Sequence, residues 1–180
     1  MEKIIKLKKL FKSLNLDGYI IPKNNNFFGE YVSASEDNLQ YISNFTGSAG
    51  FAVILKDKNY MFVDGRYTIQ ANIQCGKQFQ ICTIPKEYPF NIFKKKKINL
   101  GFDPKLHTRN SLDRLFSSVF VKLKPTNENL IDLLWKREKK LNNKPFYLIK
   151  DKDAGAKVSQ KLTKLVKLIK FNKINYLFTT

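Results

Sequence analysis

An α/β fold built on a mixed six-stranded sheet flanked by helices is predicted by three features of the chain. Short β-branched or aromatic runs alternate with amphipathic helical stretches. Two of those runs, FAVIL at 51–55 and YMFV at 60–63, are joined by the short polar connection of a hairpin, which places an antiparallel strand within a βα pattern. Finally, 180 residues that are 43% apolar can bury a substantial core.

The elements follow in order. Ile4, Ile5, Leu7, Leu10, Phe11 and Leu14 recur at helical spacing with lysines between them, so a surface helix packed on the sheet is expected. GYIIP at 18–22 is short, β-branched and closed by proline, as a strand entering a loop should be. Ser33 or Ser35 can cap a short helix through Ile42, Glu36 standing three residues after Ser33 in a capping-box arrangement. After the hairpin, Asp64 can cap a helix over 67–74. Further strands are expected at 79–83, 99–102 and 119–123, with an exposed lysine run at 94–97 and a helix opened by Thr108. Beyond Pro125 the pattern gives a helix over 129–139, a polar linker, an amphipathic helix around Val158, Leu162, Leu165, Val166 and Ile169, and a strand at 174–178. A helix and strand alone cannot cover their own apolar surface, so the expected organisation is a domain over 1–125, a helix and linker over 126–144, and the start of a second, incomplete α/β domain over 145–180.

The formal charge of +18 invites a nucleic-acid or acidic-surface partner. Yet only Arg66, Arg109, Arg114 and Arg137 among the 33 basic residues are arginine, the residue that reads phosphates and bases bidentately. Abundant Lys, Asn and Ile together read as compositional bias, which argues against nucleic acid. No apolar run is long enough for a membrane span and no secretory leader is legible, so a cytoplasmic protein is expected. Cys75 and Cys82 read as ordinary buried thiols.

The chemistry-bearing residues concentrate in 41–67. The bend FTGSAG at 45–50 has phosphate-loop composition but leads into a strand, whereas a phosphate cradle opens a helix. Gly47 and Gly50 therefore read as backbone devices. Ser48 lacks the spacing of a nucleophile elbow. In DGRY, Asp64 can take the first amide protons of the following helix, Gly65 permits the turn, and Arg66 either sits in a buried structural ion pair or clamps a ligand carboxylate. The single histidine, His107, has no metal-ligand or triad partner at the right spacing, and Glu30, Glu36 and Asp37 read as solvent-facing caps. No catalytic or metal-binding constellation is legible.

Taken together, LDGYIIP (16–22), GEY (29–31), YISNFTGSAGFAVI (41–54), DGRYTIQA (64–71), GFDP (101–104) and NLIDLLW (129–135) closely resemble, in order, the N-terminal region of the Xaa-Pro aminopeptidase family, its creatinase/prolidase N-terminal domain. Phe45, Gly47, Ser48, Gly50, Asp64, Gly65 and Tyr67 are the motif residues, expected to be structural, with Arg66 the one candidate cleft or ligand contact. The chain departs from the pattern at Asn25, Phe27, Asn38 and Asn44. The resemblance implies a ribonuclease H-like fold and a three-domain parent, whose last, pita-bread domain holds two divalent metal ions, manganese or zinc, and cleaves an N-terminal residue from proline. Neither catalytic residues nor metal ligands of that kind lie in these 180 residues, so the segment itself is expected to bind no cofactor and to be inactive alone, as a truncated product or a fragment. Its expected partner is the catalytic domain, in cis or in trans, with peptide substrate reached only through it and a homodimer in the full enzyme. The alternative is a free-standing basic module on the same fold, binding nucleic acid or an acidic surface.

Overall fold

The computed structural model describes residues 2–94, 97–116, 120–137, 145 and 147–178. It divides into two units, Met1–Glu138 and Lys139–Thr180. The first unit contains α1 (Glu2–Ser13), β1 (Gly18–Pro22), α2 (Asn38–Ser43), β2 (Phe51–Leu55), β3 (Asn59–Asp64), α3 (Thr68–Cys75), β4 (Gln80–Ile84), α4 (Pro89–Phe93), β5 (Ile98–Phe102), α5 (Arg109–Phe116) and β6 (Val121–Pro125). The strands form one mixed sheet in the order β4-β3-β2-β1-β5-β6. Only β2 runs against its neighbours; β1 with β5, β5 with β6, and β3 with β4 are parallel.

Every residue of β1 and of β2 is buried, which explains why GYIIP and FAVIL read as continuous apolar runs without alternation. The two faces carry separate cores. Tyr19 and Ile21 point to one, packed under Leu7 and Phe11 of α1, Leu39 of α2 and Ala71 of α3. Ile20 points to the other, with Phe62, Phe93 of α4 and Leu112 and Phe116 of α5. Asp17 ties three strands together at one end of the sheet: its carboxylate accepts from the Asn99 amide at 2.9 Å and from Lys56 Nζ at 2.7 Å.

Several elements differ from the sequence expectation. Neither Ser33 nor Ser35 caps α2. Ser33 Oγ donates to the Glu36 carboxylate instead, and Asp37 caps the helix by accepting from the Gln40 amide at 2.9 Å. Asp37 is also buried, not solvent-facing, and is paired with Lys23, whose side chain is 8% exposed. The short α4 was not expected; it starts at Pro89, and Asn91 Oδ1 accepts from the Tyr88 amide at 2.9 Å. Residues 130–134 form tight turns, where a helix was expected. Asn129 Oδ1 accepts from the Ile131 amide at 2.9 Å and Tyr19 Oη from the Leu130 amide at 3.3 Å, and the chain goes on through turns such as the Trp135 amide to the Ile131 carbonyl at 2.9 Å without extending into a helix. Residues 138–139 of that expected helix, Lys95 and Lys96 of the lysine run, the start of the expected strand at 119, and the linker apart from 145 lie outside the described residues.

The second unit contains α6 (Asp151–Ala154) and α7 (Val158–Phe171), neither with a buried residue. The strand expected at 174–178 is irregular chain. A strand needs a ladder partner, and no strand is present among the described residues of this unit.

Candidate functional site

All the parallel strands end at the same edge of the sheet, and the sequence motifs gather there. At the end of β3, Asp64 begins a single tight turn over Gly65–Tyr67 that leads into α3. The FTGSAG bend lies against this corner: the Phe45 and Tyr67 rings meet edge to face at 5.8 Å, and Ser48 Oγ and Tyr67 Oη share a hydrogen bond of 2.6 Å. Thr46 is held by α3, its amide donating to Gln74 Oε1 and its hydroxyl accepting from Gln70 Nε2, both at 2.9 Å. Gly47 and Gly50 are fixed by space and by backbone. A Cβ at Gly47 would stand 2.2 Å from the Phe45 ring, and Gly50 has φ of 152° with the Phe62 carbonyl 2.9 Å from where its Cβ would be. Gly65 has open space where a side chain would go, so its turn is not one that steric crowding reserves for glycine.

Arg66 is paired, but not in the buried ion pair expected. Its guanidinium folds back two residues onto Asp64, with Nε to Oδ1 at 3.1 Å and a terminal nitrogen to Oδ2 at 2.7 Å, and its side chain remains 75% exposed. The hydrogen bonds and charge of Arg66 hold the Asp64 carboxyl below the ordinary carboxylate range. A pair between neighbours on a turn needs no other element to bury it, which the spacing alone could not reveal.

The thiols of Cys75 and Cys82 are both buried, and burial pushes them up to about 11 and about 12. His107 packs edge-on against Phe102, its Nε2 sealed without a hydrogen-bond partner, and burial pulls it down to about 4.

The sequence reading missed a second feature of this edge. A polar cavity of about 430 Å3 opens where β1, β5 and β6 end. The loop after β1 contributes Asn24–Asn26, the end of β5 Asp103, the segment after β6 Glu128 and Asn129, and α2 Asn38. Crevices of this kind form where neighbouring parallel strands send their connections in opposite directions, as β1 and β5 do. Arg137 closes one side, donating to the Ser35 carbonyl at 2.9 Å, to Asn38 Oδ1 at 2.7 Å and to Asp132, while lying 4.6 Å over the Trp135 ring. Trp135 in turn stacks on Tyr41 at 4.6 Å. The available signal was that GFDP puts a carboxylate directly after a strand; Asp103 lines this cavity together with Asp132 of NLIDLLW, seven residues beyond β6.

Among the described residues no three His, Cys, Asp or Glu side chains are placed to hold a metal ion. Nor does any helix among them have the length and apolarity to cross a membrane. The donor set for a dinuclear metal centre is not in these residues, and no reaction step can be derived through one.

An α/β/α sandwich with a mixed sheet and a motif corner at the strand ends is the kind of protein this geometry defines. Residues 3–133 match the creatinase/prolidase N-terminal domain, and the chain belongs to that family. Among curated proteins it is 31% identical over 178 residues to a probable Xaa-Pro aminopeptidase P of Neurospora crassa, covering 92% of this chain and 26% of that one. The probable Xaa-Pro aminopeptidase P of Coprinopsis cinerea is 29% identical over 88% of this chain and 27% of its own length. The chain thus spans about a quarter of these relatives. Among solved structures, an X-prolyl aminopeptidase of Caenorhabditis elegans, described as a cytosolic enzyme with a di-nuclear active site, superposes with a TM-score of 0.76 at 24% identity, over 96% of this chain and 31% of that chain. A Bacillus anthracis Xaa-Pro dipeptidase gives 0.58 at 26% identity over 74% of this chain and 35% of that one.

Proposed function

We propose that this chain is the N-terminal, non-catalytic part of a metal-dependent Xaa-Pro aminopeptidase of the cytoplasm. The observation that carries the reading is coverage. The family match takes in residues 3–133, and the curated Xaa-Pro aminopeptidases match most of this chain over about a quarter of their own length. In the parent enzyme, a separate catalytic domain with two divalent metal ions, manganese or zinc, removes an N-terminal residue preceding proline. This part borders the cleft and supports subunit contacts, including a homodimer. Phe45, Gly47, Ser48, Gly50, Asp64, Gly65 and Tyr67 build the corner that shapes that border, and Arg66, exposed on it, is the candidate contact with substrate or catalytic domain.

Residues 145–180 are the opening of a second α/β domain in this reading. The support is again coverage: 96% of this chain matched in the Caenorhabditis elegans enzyme leaves about seven residues over, so that likeness runs well into the second unit, whereas the Bacillus anthracis dipeptidase stops at 74%. The uncovered apolar stripe of α7, with Val158, Leu162 and Val166 all exposed, is what a helix awaiting its sheet would present.

The coding sequence beyond codon 180 tests the proposal. It is expected to continue, in the same or an adjacent frame, through the rest of a second α/β domain into one bearing Asp, His and Glu metal ligands. If instead the chain is made alone and binds nucleic acid or acidic lipid below micromolar Kd, with affinity falling steeply as salt rises, the basic-module reading replaces it.

A further inference from the structure

The cavity at the ends of β1, β5 and β6 runs against the electrostatics of the chain that holds it. The protein carries +18 overall, with 15 acidic residues against 33 basic ones. Four of those acidic residues, Glu36, Asp103, Glu128 and Asp132, line this one cavity, against Lys105 and Arg137. Arg137 is already engaged by Asp132 and one Glu36 oxygen accepts from Ser33 and Asn25, so among the described residues of the lining Lys105 is the other basic side chain facing Asp103, Glu128 and the rest of Glu36.

A second observation concerns buried side chains. Asp103, Asn129 and Asn38 are 7%, 7% and 3% exposed. Each commits one polar atom to the protein. Asp103 Oδ1 accepts from the Lys105 amide at 2.9 Å, Asn129 Oδ1 from the Ile131 amide at 2.9 Å, and Asn38 Oδ1 from Arg137 at 2.7 Å. The other polar atom of each, Asp103 Oδ2 and the two amide nitrogens, bonds to no described residue. None of these three is sealed, as Asn59 Oδ1 and His107 Nε2 are; they open onto the cavity the three residues line. Water can partner these atoms through the cavity, and a ligand entering it would find them ready to hydrogen-bond.

We propose that this cavity binds a small ligand bearing a primary ammonium group. The ammonium donates to the free oxygen of Asp103; Glu36 and Glu128 on the same lining add negative charge around it, and the amides of Asn38 and Asn129 donate to acceptor atoms on the rest of the molecule. A volume of about 430 Å3 suits a ligand the size of a diamine or a short peptide end. The net charge of the chain repels cations, so capture of an amine cannot arise from the mean field of the protein and must come from this local group. The site does not depend on the aminopeptidase reading: the same cavity would bind amines whatever the parent protein does.

Calorimetric titration of the 180-residue chain tests this with three probes: putrescine, glycylglycinamide, and N-acetyl-glycylglycinamide. Saturable binding of either amine, with none by the acetylated probe, is expected. Putrescine alone binding identifies a free diamine, and glycylglycinamide alone a peptide amino terminus. Asp103→Asn keeps the oxygen that accepts the Lys105 amide, and Glu128→Gln alters an exposed side chain, so both variants should fold as the parent does by circular dichroism. Asp103→Asn should weaken amine binding about tenfold, the value of one charge-assisted hydrogen bond, and Glu128→Gln about threefold through the lost charge. Lys105→Ala, which removes the opposing charge, should tighten it. No saturable amine binding at millimolar concentration, equal binding of the acetylated probe, or unchanged affinity in Glu128→Gln would overturn the proposal.

Discussion

At the scale of single residues, Gly47 and the Lys23–Asp37 pair are the most demanding positions. The Phe45 ring occupies the place a Gly47 Cβ would take, so Gly47→Ala forces a buried aromatic off its packing. A loss of about 1–3 kcal/mol is expected from urea unfolding midpoints, as for overpacked cores generally. Lys23 and Asp37 are 8% and 3% exposed at their side chains. Lys23→Ala leaves the Asp37 carboxylate buried without its counter-charge, with an expected cost of about 3–5 kcal/mol. His107 sets a pH dependence. Its folded value near 4 lies below the ordinary 6.5, so the unfolded chain takes up the proton first and stability falls as pH drops through that interval. Between pH 7 and 5.5 the loss from this residue should be about 1 kcal/mol, and it should vanish in His107→Gln. Little of this was legible in the sequence. Chain order shows that Asp37 precedes a helix; it does not show that Lys23, 14 residues away, ends up buried against it.

At the scale of elements, hydrophobic pattern identified most strands and helices, because both central strands are covered on both sides and their apolar runs have one consistent reading. The pattern misled where a tertiary contact decided the local backbone. Leu130, Leu133 and Leu134, with Trp135 beside them, read as a helix, yet the chain makes turns over 130–134, where Leu130 and Ile131 are buried and their amides donate to Tyr19 of β1 and to the Asn129 side chain. Tyr19→Phe is therefore expected to act on residues 130–134 rather than on β1. It leaves the Leu130 amide without its acceptor at about 1–3 kcal/mol, and hydrogen exchange at Leu130 should quicken while β1 amides stay protected. α4 escaped notice because five residues are too few to establish a period, and only Pro89 and Asn91 mark its start.

At the scale of the whole molecule, the mixed sheet and its motif corner were legible because FTGSAG and DGRY are local, glycine-marked turns in a fixed order. The cavity was not, since its lining comes from segments far apart in sequence that only the sheet order brings together. The candidate corner itself proved largely self-satisfying: Ser48 bonds Tyr67, and Arg66 bonds Asp64. Such an arrangement fixes the shape of the corner from within. The chain belongs to the creatinase/prolidase N-terminal family and covers about a quarter of its curated aminopeptidase relatives, and its central functional claim is that this part does not catalyse by itself. The direct measurement is hydrolysis of an Xaa-Pro peptide by the purified 180-residue chain with manganese or zinc supplied. The account predicts no turnover above the metal-only control, whereas metal-dependent release of the N-terminal residue by this chain alone would contradict it.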